Sequence, residues 1–167
     1  MDALSLRPLR SGDEHSAARW GADAEFCRAN DWAPDLSAQS IRQHWAGIIA
    51  GTPDDFLRLG VDLGGELVGH VDLAFLSAHT GEFGIAIERT HWRRGLGLTA
   101  GRLLLAHAFG SLNLQDITAT VHAPNRPSHT LMLRLGFVEG GYAESEIYQG
   151  TLVDVTRYVL TRQRYRP

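Results

Sequence analysis

The stretch Trp92-Arg93-Arg94-Gly95-Leu96-Gly97 decides the fold, because it joins a strand-like run at residues 82–87 to a helical pattern at about 98–110. The first turn of a helix presents unpaired N–H groups and the positive end of the helix dipole, so it favours a phosphate group. Glycines let the backbone approach such an anion closely, and the two arginines add charged donors. A bare Gly-x-Gly more often forms only a turn, and the third glycine of a dinucleotide-binding loop is missing.

The sequence on either side of this loop predicts an α/β (α+β) fold. Alternating apolar residues indicate strands, and apolar residues at helical spacing behind a capping residue, such as Asp13 or Ser37, indicate helices. Strands are predicted at residues 4–8, 56–63, 66–76, 82–87, 116–122, 137–148 and 152–160, and helices at 13–27, 37–48, 98–110 and 127–136. This order predicts a mixed central sheet of six to seven strands with helices on both faces. Because no linker or repeat divides the chain, we expect one domain over residues 1–167.

The charged residues are unusual in kind and in distribution. All 16 cationic residues are arginines, which excludes a Walker-type phosphate loop and any catalytic lysine. Residues 1–88 carry 14 acidic residues and 6 arginines, whereas residues 89–167 carry 10 arginines and 5 acidic residues. We therefore expect one half to suit a cationic partner and the other an anionic one. The net charge of −3 argues against a nucleic-acid partner.

The cysteine, the histidines and the hydropathy pattern exclude further kinds of site and classes of protein. The single cysteine, Cys27, excludes an intrachain disulfide and a cysteine-rich zinc site, and it falls on an apolar helical stripe. The eight histidines show no metal-ligand spacing, so we expect no metal. No apolar run is long enough to span a bilayer and residues 1–10 lack a signal-peptide core, so we expect a cytoplasmic protein without a membrane partner.

Four sequence blocks around the glycine loop occur in register with one known family. They are Glu82-Phe83-Gly84-Ile85, the loop with Gly95 and Gly97, Asn125 and Ser128 followed by Leu135-Gly136-Phe137, and Gly150 and Asp154 before an apolar strand at 155–160. This combination resembles the GCN5-related N-acetyltransferases (GNATs), particularly the branch of the ribosomal-protein N-terminal (alanine/serine) acetyltransferases. The resemblance covers about residues 66–160 and is far more specific than any single block.

The resemblance implies that acetyl-CoA is the cofactor and that an acetyl group passes directly to an amine in a ternary complex. It also implies a set of cofactor-binding residues on the fourth strand, the loop and the helix after the fifth strand. These are Ile85, Ala86, Ile87, Trp92, Arg93, Arg94, Gly95, Leu96, Gly97, Leu98, Asn125, Ser128 and Arg134. Trp92 replaces the usual glutamine or arginine, which the backbone-binding role of the loop should tolerate.

Two residues are implied as catalytic. Glu82 stands where relatives place a carboxylate near the substrate and would accept the amine proton directly or through a water, although a solvent-exposed carboxylate is equally consistent. Ser128 would donate to the departing thiolate or simply cap its helix. Met132 stands where many relatives have a tyrosine that protonates the thiolate, so that mechanism is not expected here. His122 could also lie near the thioester, although a histidine at a strand end is more often solvated.

The acceptor is expected to be an amine. His70 and Asp72 share one face of their strand and would form a relay or line the acceptor pocket, unless they belong to an exposed polar face. Trp32 and neighbouring acidic residues would form the acceptor wall, because acidic and aromatic groups attract ammonium cations, unless the tryptophans belong to the core and the acidic residues to a solvated face. Two acceptors stay open: a protein N-terminal α-amine, or a small amine such as a polyamine, an aminoglycoside or an amino-acid derivative. A catalytically weak acyl-CoA-binding sensor and a homodimer stay open too.

Overall fold

The computed structural model describes residues 3–167, which form nine strands and five α-helices where the sequence predicts seven strands and four helices. In chain order these are β1 (Leu4–Pro8), α1 (Asp13–Gly21), α2 (Ala24–Ala29), α3 (Ala38–Ala50), β2 (Leu57–Leu63), β3 (Glu66–Ala74), β4 (Thr80–Ile87), a 3-10 turn (Arg89–His91), α4 (Leu96–Phe109), β5 (Asp116–His122), α5 (Arg126–Arg134), β6 (Val138–Glu139), β7 (Glu146–Tyr148), β8 (Thr151–Val153) and β9 (Val155–Thr161). Among these residues, no helix combines the length and apolar character that crossing a membrane requires.

Seven of the strands form one mixed sheet, and β7 and β8 form a separate hairpin. The sheet order is β1-β2-β3-β4-β5-β9-β6, and every neighbouring pair is antiparallel except β4 and β5, which run parallel. Helices α4 and α5 cover one face around a large apolar core, whereas α1, α2 and α3 cover the other around Trp20, Phe26 and Trp45. The predicted mixed sheet with helices on both faces is confirmed.

The parallel pair β4 and β5 parts in the middle of the sheet. Their pairing runs from Thr80–Asp116 to Glu82–Thr118 and stops there. Beyond that point β4 stays paired with β3 up to Ile87, and β5 stays paired with β9 up to His122. The two strands therefore leave a gap between them on the side where the glycine loop follows β4.

The first predicted helix is two helices in the structure. Helix α1 ends at Gly21, and Asp23 begins α2 by accepting hydrogen bonds from the backbone of Glu25 and Phe26 at 3.0 and 3.1 Å. Asp13 is not the cap of α1, because its buried carboxylate is paired with Arg7 instead. The second capping prediction is confirmed, since Ser37 accepts from the backbone N–H of Ser40 at 3.0 Å.

The predicted strand over residues 137–148 is also divided. Only Val138–Glu139 pairs with the main sheet, and the chain then leaves it to form the β7–β8 hairpin around Gln149-Gly150, both with left-handed φ values. The hairpin tip docks on the end of α2, where Gln149 Nε2 donates to the carbonyl of Arg28 at 2.6 Å. This docking moves the hairpin over the gap between β4 and β5.

Candidate active site

The glycine loop forms a cradle of unpaired backbone N–H groups. Gly95 adopts a left-handed conformation with φ of 77° and stands immediately before α4, which begins at Leu96, two residues earlier than predicted. Within residues 3–167, the N–H groups of residues 93–98 find no hydrogen-bond acceptor. Such a set of amides at the positive end of a helix is suited to a phosphate or pyrophosphate group.

A cavity of about 780 Å³ occupies the gap between β4 and β5 and extends from this loop to the end of α2. We call it the first cavity. It is lined by residues 83–87 of β4, 119–122 of β5, His91, Trp92, Arg93 and 95–97 of the loop, Asn125, Pro127, Ser128, Leu131 and Met132, and residues 29–31 with Tyr148 at the far end. The cradle and the hairpin therefore lie at opposite ends of one continuous space.

The open edge of β4 supplies further hydrogen-bonding groups to the first cavity. The N–H of Glu88 donates to Val68 on β3 at 2.7 Å. Because polar groups alternate between the two edges of a strand, Ile85 and Ile87 direct theirs towards the cavity, whereas Ala86 directs its own towards β3. One of these groups is engaged, since Trp92 Nε1 donates to the carbonyl of Ile87 at 2.6 Å. The indole thus ties the glycine loop to the end of β4.

Most of the residues expected to bind the cofactor line the first cavity. Three do not: Arg94 is exposed on the loop, Leu98 packs towards the apolar core, and Arg134 is exposed at the end of α5. Asn125 begins α5 by accepting from the N–H of Ser128 at 3.3 Å. Ser128 is therefore not the cap, and its hydroxyl has no hydrogen-bond partner among the described residues while facing the cavity.

Glu82, the expected proton acceptor, lies beside the first cavity and not on its wall. Its Oε1 accepts from the hydroxyl of Thr120 at 3.3 Å, and Thr120 does line the cavity. Met132 lines the cavity from α5 and is 3% exposed, so a thioether stands at the position that a tyrosine holds in many relatives. Thr120 is thus a residue of the cavity wall that contacts Glu82.

Two residues of the C-terminal hairpin that the sequence did not single out contact His122, and one of them, Tyr148, also lines the first cavity. Glu146 Oε2 lies 2.8 Å from His122 Nε2, and the ring of Tyr148 stacks on His122 with centroids 4.4 Å apart. Tyr148 donates to the carbonyl of Ala29 at 3.3 Å, and burial raises the pKa of its hydroxyl, which is therefore protonated at neutral pH. The sequence signal here was only the Gln149-Gly150 turn, which places Tyr148 at a strand end without showing what the hairpin covers.

His70 and Asp72 share one face, as expected, but line neither cavity. Asp72 accepts from His70 at 3.1 Å and from Arg58 at 2.7 and 2.8 Å. Burial alone would raise the pKa of Asp72, but His70 and the Arg58 guanidinium outweigh it and hold this pKa well below its usual range. The residue that these two support, Arg58, lines a second cavity.

This second cavity has a volume of about 450 Å³ and lies between the loop after α2 and helix α3. It is lined by Asp31, Trp32, Ala33, Leu36, Ser40, Ile41, His44, Trp45 and Arg58. Trp32 is thus on a cavity wall, as expected. Asp31 lines both cavities and is the residue at which they meet. Within residues 3–167, no group of three or more histidine, cysteine or acidic side chains is arranged to hold a metal ion.

Comparisons with known proteins agree with this site. A family model described as an acetyltransferase (GNAT) domain matches residues 3–138. The chain is 33% identical over 171 aligned residues to p20, an uncharacterized N-acetyltransferase of Bacillus licheniformis, covering 98% of this chain and 96% of that protein. It is 30% identical over 102 residues to the uncharacterized N-acetyltransferase YoaA of Bacillus subtilis, covering 59% of this chain and 58% of that protein.

Solved structures show the same fold. The spermidine N-acetyltransferase from Vibrio cholerae, in complex with CoA and spermine, superimposes with a TM-score of 0.84 at 25% identity, covering 97% of each chain. A GNAT-family acetyltransferase from Bacillus anthracis superimposes with a TM-score of 0.81 at 21% identity, covering 98% of this chain and 99% of that chain.

These comparisons confirm the expected superfamily, enzyme class and cofactor. The relatives named here do not identify the ribosomal-protein branch, so that finer expectation stays a prediction. The amide cradle, the parted strands and the match over most of the chain lead to one assignment. This chain belongs to the GNAT family and is an acetyl-CoA-dependent N-acetyltransferase.

Proposed function

We propose that this enzyme acetylates the primary amine of a small molecule by direct attack on acetyl-CoA in a ternary complex. The observation that carries the proposal is the first cavity, which has the amide cradle at one end and the carboxylate of Asp31 at the other. A cradle for an anion and a carboxylate for an ammonium are what the two substrates require. The similar Vibrio cholerae enzyme, crystallised with CoA and spermine, supports a small cationic acceptor.

On the cofactor side, this chain's residues bind and orient. The N–H groups of residues 93–98 hold the pyrophosphate, and exposed Arg93 adds its charge. The edge groups of Ile85 and Ile87 hydrogen-bond the amide-containing arm of the cofactor. Acetyl-CoA supplies an activated thioester when bound. Ser128, whose hydroxyl has no partner among the described residues, lines the cavity that would hold this thioester. The parted strands thus act as the binding surface.

On the acceptor side, the chain attracts an ammonium ion and then removes its proton. Asp31 favours entry of the charged amine, but only the neutral amine is nucleophilic. We assign the proton acceptor to Glu82, which is one hydrogen bond from Thr120 on the cavity wall and can be reached through a water molecule. The neutral amine then attacks the thioester carbonyl, the C–S bond breaks, and the second proton of the nitrogen passes to the departing thiolate, which gives the amide and free CoA.

A protein N-terminal α-amine is the second candidate acceptor. The observation that favours it is the block Glu82-Phe83-Gly84-Ile85 with the later motifs in register, which resembles the ribosomal-protein branch. A sensor without catalysis is the third reading, favoured by buried Met132 in place of a tyrosine.

Two measurements, thiol release and calorimetry, separate these three candidates. Release of free CoA thiol from acetyl-CoA is measured with small amines and with short peptides that have free N-termini, against a reaction without acceptor. We expect turnover with small amines above that background. Turnover only with peptides would favour the second candidate, and calorimetric binding of acetyl-CoA without turnover of any amine would favour the sensor.

A further inference from the structure

We infer that the second cavity binds the part of the acceptor that does not react, and that this part is apolar and carries a carbonyl or carboxylate oxygen instead of a second ammonium group. The inference rests on the proposed function and names its substrate class. It separates amino-acid-like amines from linear polyamines.

The two cavities share one lining residue. Asp31 lines both, has a left-handed φ of 53°, and has its Oδ1 fixed by the backbone N–H of Gln149 at 3.2 Å. An amine held near this carboxylate faces the first cavity, and the remainder of the same molecule can extend into the second. Asp31 therefore lies between the reacting amine of an acceptor and the part of the molecule that does not react.

The wall of the second cavity suits an apolar group in the non-reacting part of the acceptor. Trp32, Leu36, Ile41 and Trp45 contribute large apolar side chains, whereas Asp31 at the junction is the only carboxylate among the lining residues. A volume of about 450 Å³ is many times that of a water molecule and accommodates a branched side chain. A polyamine would place its second ammonium among groups that offer it no further carboxylate.

One polar side chain on this wall, Arg58, is held in a fixed orientation and keeps an unpaired donor among the described residues. Arg58 gives its Nε and Nη2 to Asp72, and its guanidinium carbon lies 5.0 Å from the ring centroid of Trp45 and 5.3 Å from that of Phe56. Its Nη1 has no hydrogen-bond partner within residues 3–167. A fixed guanidinium edge that can only donate is matched by a carbonyl or carboxylate oxygen and opposed by an ammonium.

This reading also gives a role to a buried polar network that the chemical step does not use. His70, 5% exposed, donates its Nδ1–H to Asp72, and Asp72 in turn holds Arg58 in a two-point contact. Burying such groups is costly unless they are fully paired. His70 and Asp72 are positioning residues that fix the orientation of Arg58 towards the acceptor.

The test uses acceptors that differ by one feature. L-leucinamide has an apolar side chain and a carbonyl, 3-methylbutylamine is the same molecule without the carboxamide, and spermidine carries further ammonium groups. Binding of each to the enzyme saturated with CoA is measured by calorimetry, and KM by thiol release. We expect leucinamide to bind about tenfold or more tightly than either of the others, the usual value of one charge-assisted hydrogen bond.

Two variants locate the effect. Ala33→Trp narrows the second cavity from an exposed loop position, and it should raise the KM for leucinamide about tenfold more than the KM for ethylamine, which needs only the first cavity. The matched control Ala46→Trp lies at an exposed position of α3 outside both cavities and should leave both KM values within about twofold. Arg58→Lys should reduce the preference for leucinamide over 3-methylbutylamine about tenfold.

Tighter binding of spermidine than of leucinamide would overturn the inference, as would an unchanged leucinamide KM in Ala33→Trp. If Arg58→Lys does not fold, the Ala33→Trp comparison decides alone. Failure of the proposed function is distinguishable, because it would appear as no acetylation of any amine while calorimetry still shows whether leucinamide is preferred.

Discussion

The Nε2 atom of His122 lies 2.8 Å from Oε2 of Glu146, and this pair joins the wall of the first cavity to the C-terminal hairpin. A carboxylate on one ring nitrogen orients an imidazole and fixes which nitrogen carries the proton. His122 is therefore a cavity histidine that competes with Glu82 for the proton of the acceptor amine. Their variants must be compared side by side.

Replacing Glu82 with Gln keeps the shape of the side chain and removes its basicity. We expect kcat to fall on the order of 10²–10⁴-fold, the usual contribution of one positioned acid–base group, with the loss shrinking at high pH where free amine is abundant. His122→Gln should cost less than about tenfold. A pH–rate profile for both variants checks this, and a large loss in His122→Gln with normal turnover in Glu82→Gln would reassign the proton to the histidine.

Gly95→Val should weaken cofactor binding. A Cβ at Gly95 would meet no protein atom within 4 Å, so the substitution acts through its left-handed backbone and through obstruction of the anion. We expect the KM for acetyl-CoA to rise about 10- to 100-fold, as for the loss of hydrogen bonds to a charged group.

Gly12 is the matched control for Gly95. It also precedes a helix with a left-handed φ, 103°, and open space around it, but it lies outside both cavities. Gly12→Val should therefore lower the unfolding temperature similarly and leave the KM for acetyl-CoA unchanged. Equal KM values in the two folded variants would contradict the placement of the pyrophosphate.

Trp92→Phe should loosen the glycine loop. The substitution keeps an aromatic ring but removes the N–H that donates to Ile87 at 2.6 Å, and one hydrogen bond of about 1 kcal/mol corresponds to roughly fivefold in binding. We expect the KM for acetyl-CoA to rise by about this factor with little change in kcat. The same substitution at Trp20, whose indole N–H has no partner in the described chain, should not change this KM in folded protein.

Asp72→Asn should destabilise the fold in a pH-dependent way. Removing one partner of a buried ion pair leaves Arg58 uncompensated, and we expect a loss of about 3 kcal/mol in the free energy of unfolding at pH 7. Because the folded-state pKa of Asp72 is depressed, its contribution is present above its unfolded pKa of about 4 and is lost as the pH falls through the folded value. Urea unfolding should therefore show the wild type approaching the variant below about pH 4. A constant difference down to lower pH would contradict the pairing.

The sheet could be predicted from the sequence because its strands are set by local patterns. Strand alternation and the helical spacing of apolar residues each act within one element, and the structure reproduces most of the predicted elements within a few residues. The divided first helix shows the limit of such patterns. As residue types, Asp23 and Asp13 are equally good helix caps. In the structure Asp13 pairs with Arg7 and Asp23 caps α2, and local sequence does not show this difference.

The sequence predicts the residues around the amide cradle more readily than those at the far end of the first cavity. The cradle depends on residues adjacent in sequence, whereas the far end joins Asp31 to Gln149, 118 positions apart. The alternation of side chains along β3 places His70 and Asp72 on one face and favours a pocket wall. It does not show that Arg58 lies between them and the second cavity. That fact depends on the register of β2 against β3, which pairs Arg58 with Asp72.

The gap between β4 and β5 affects the stability of the enzyme. A sheet that opens at its centre has amide hydrogens there, such as that of Ile85, that exchange with solvent as those of an outer strand do. We expect acyl-CoA bound in this gap to cover these amides and to stabilise the native state by mass action. Resistance to heat and to proteolysis therefore rises and falls with the concentration of the enzyme's own cofactor.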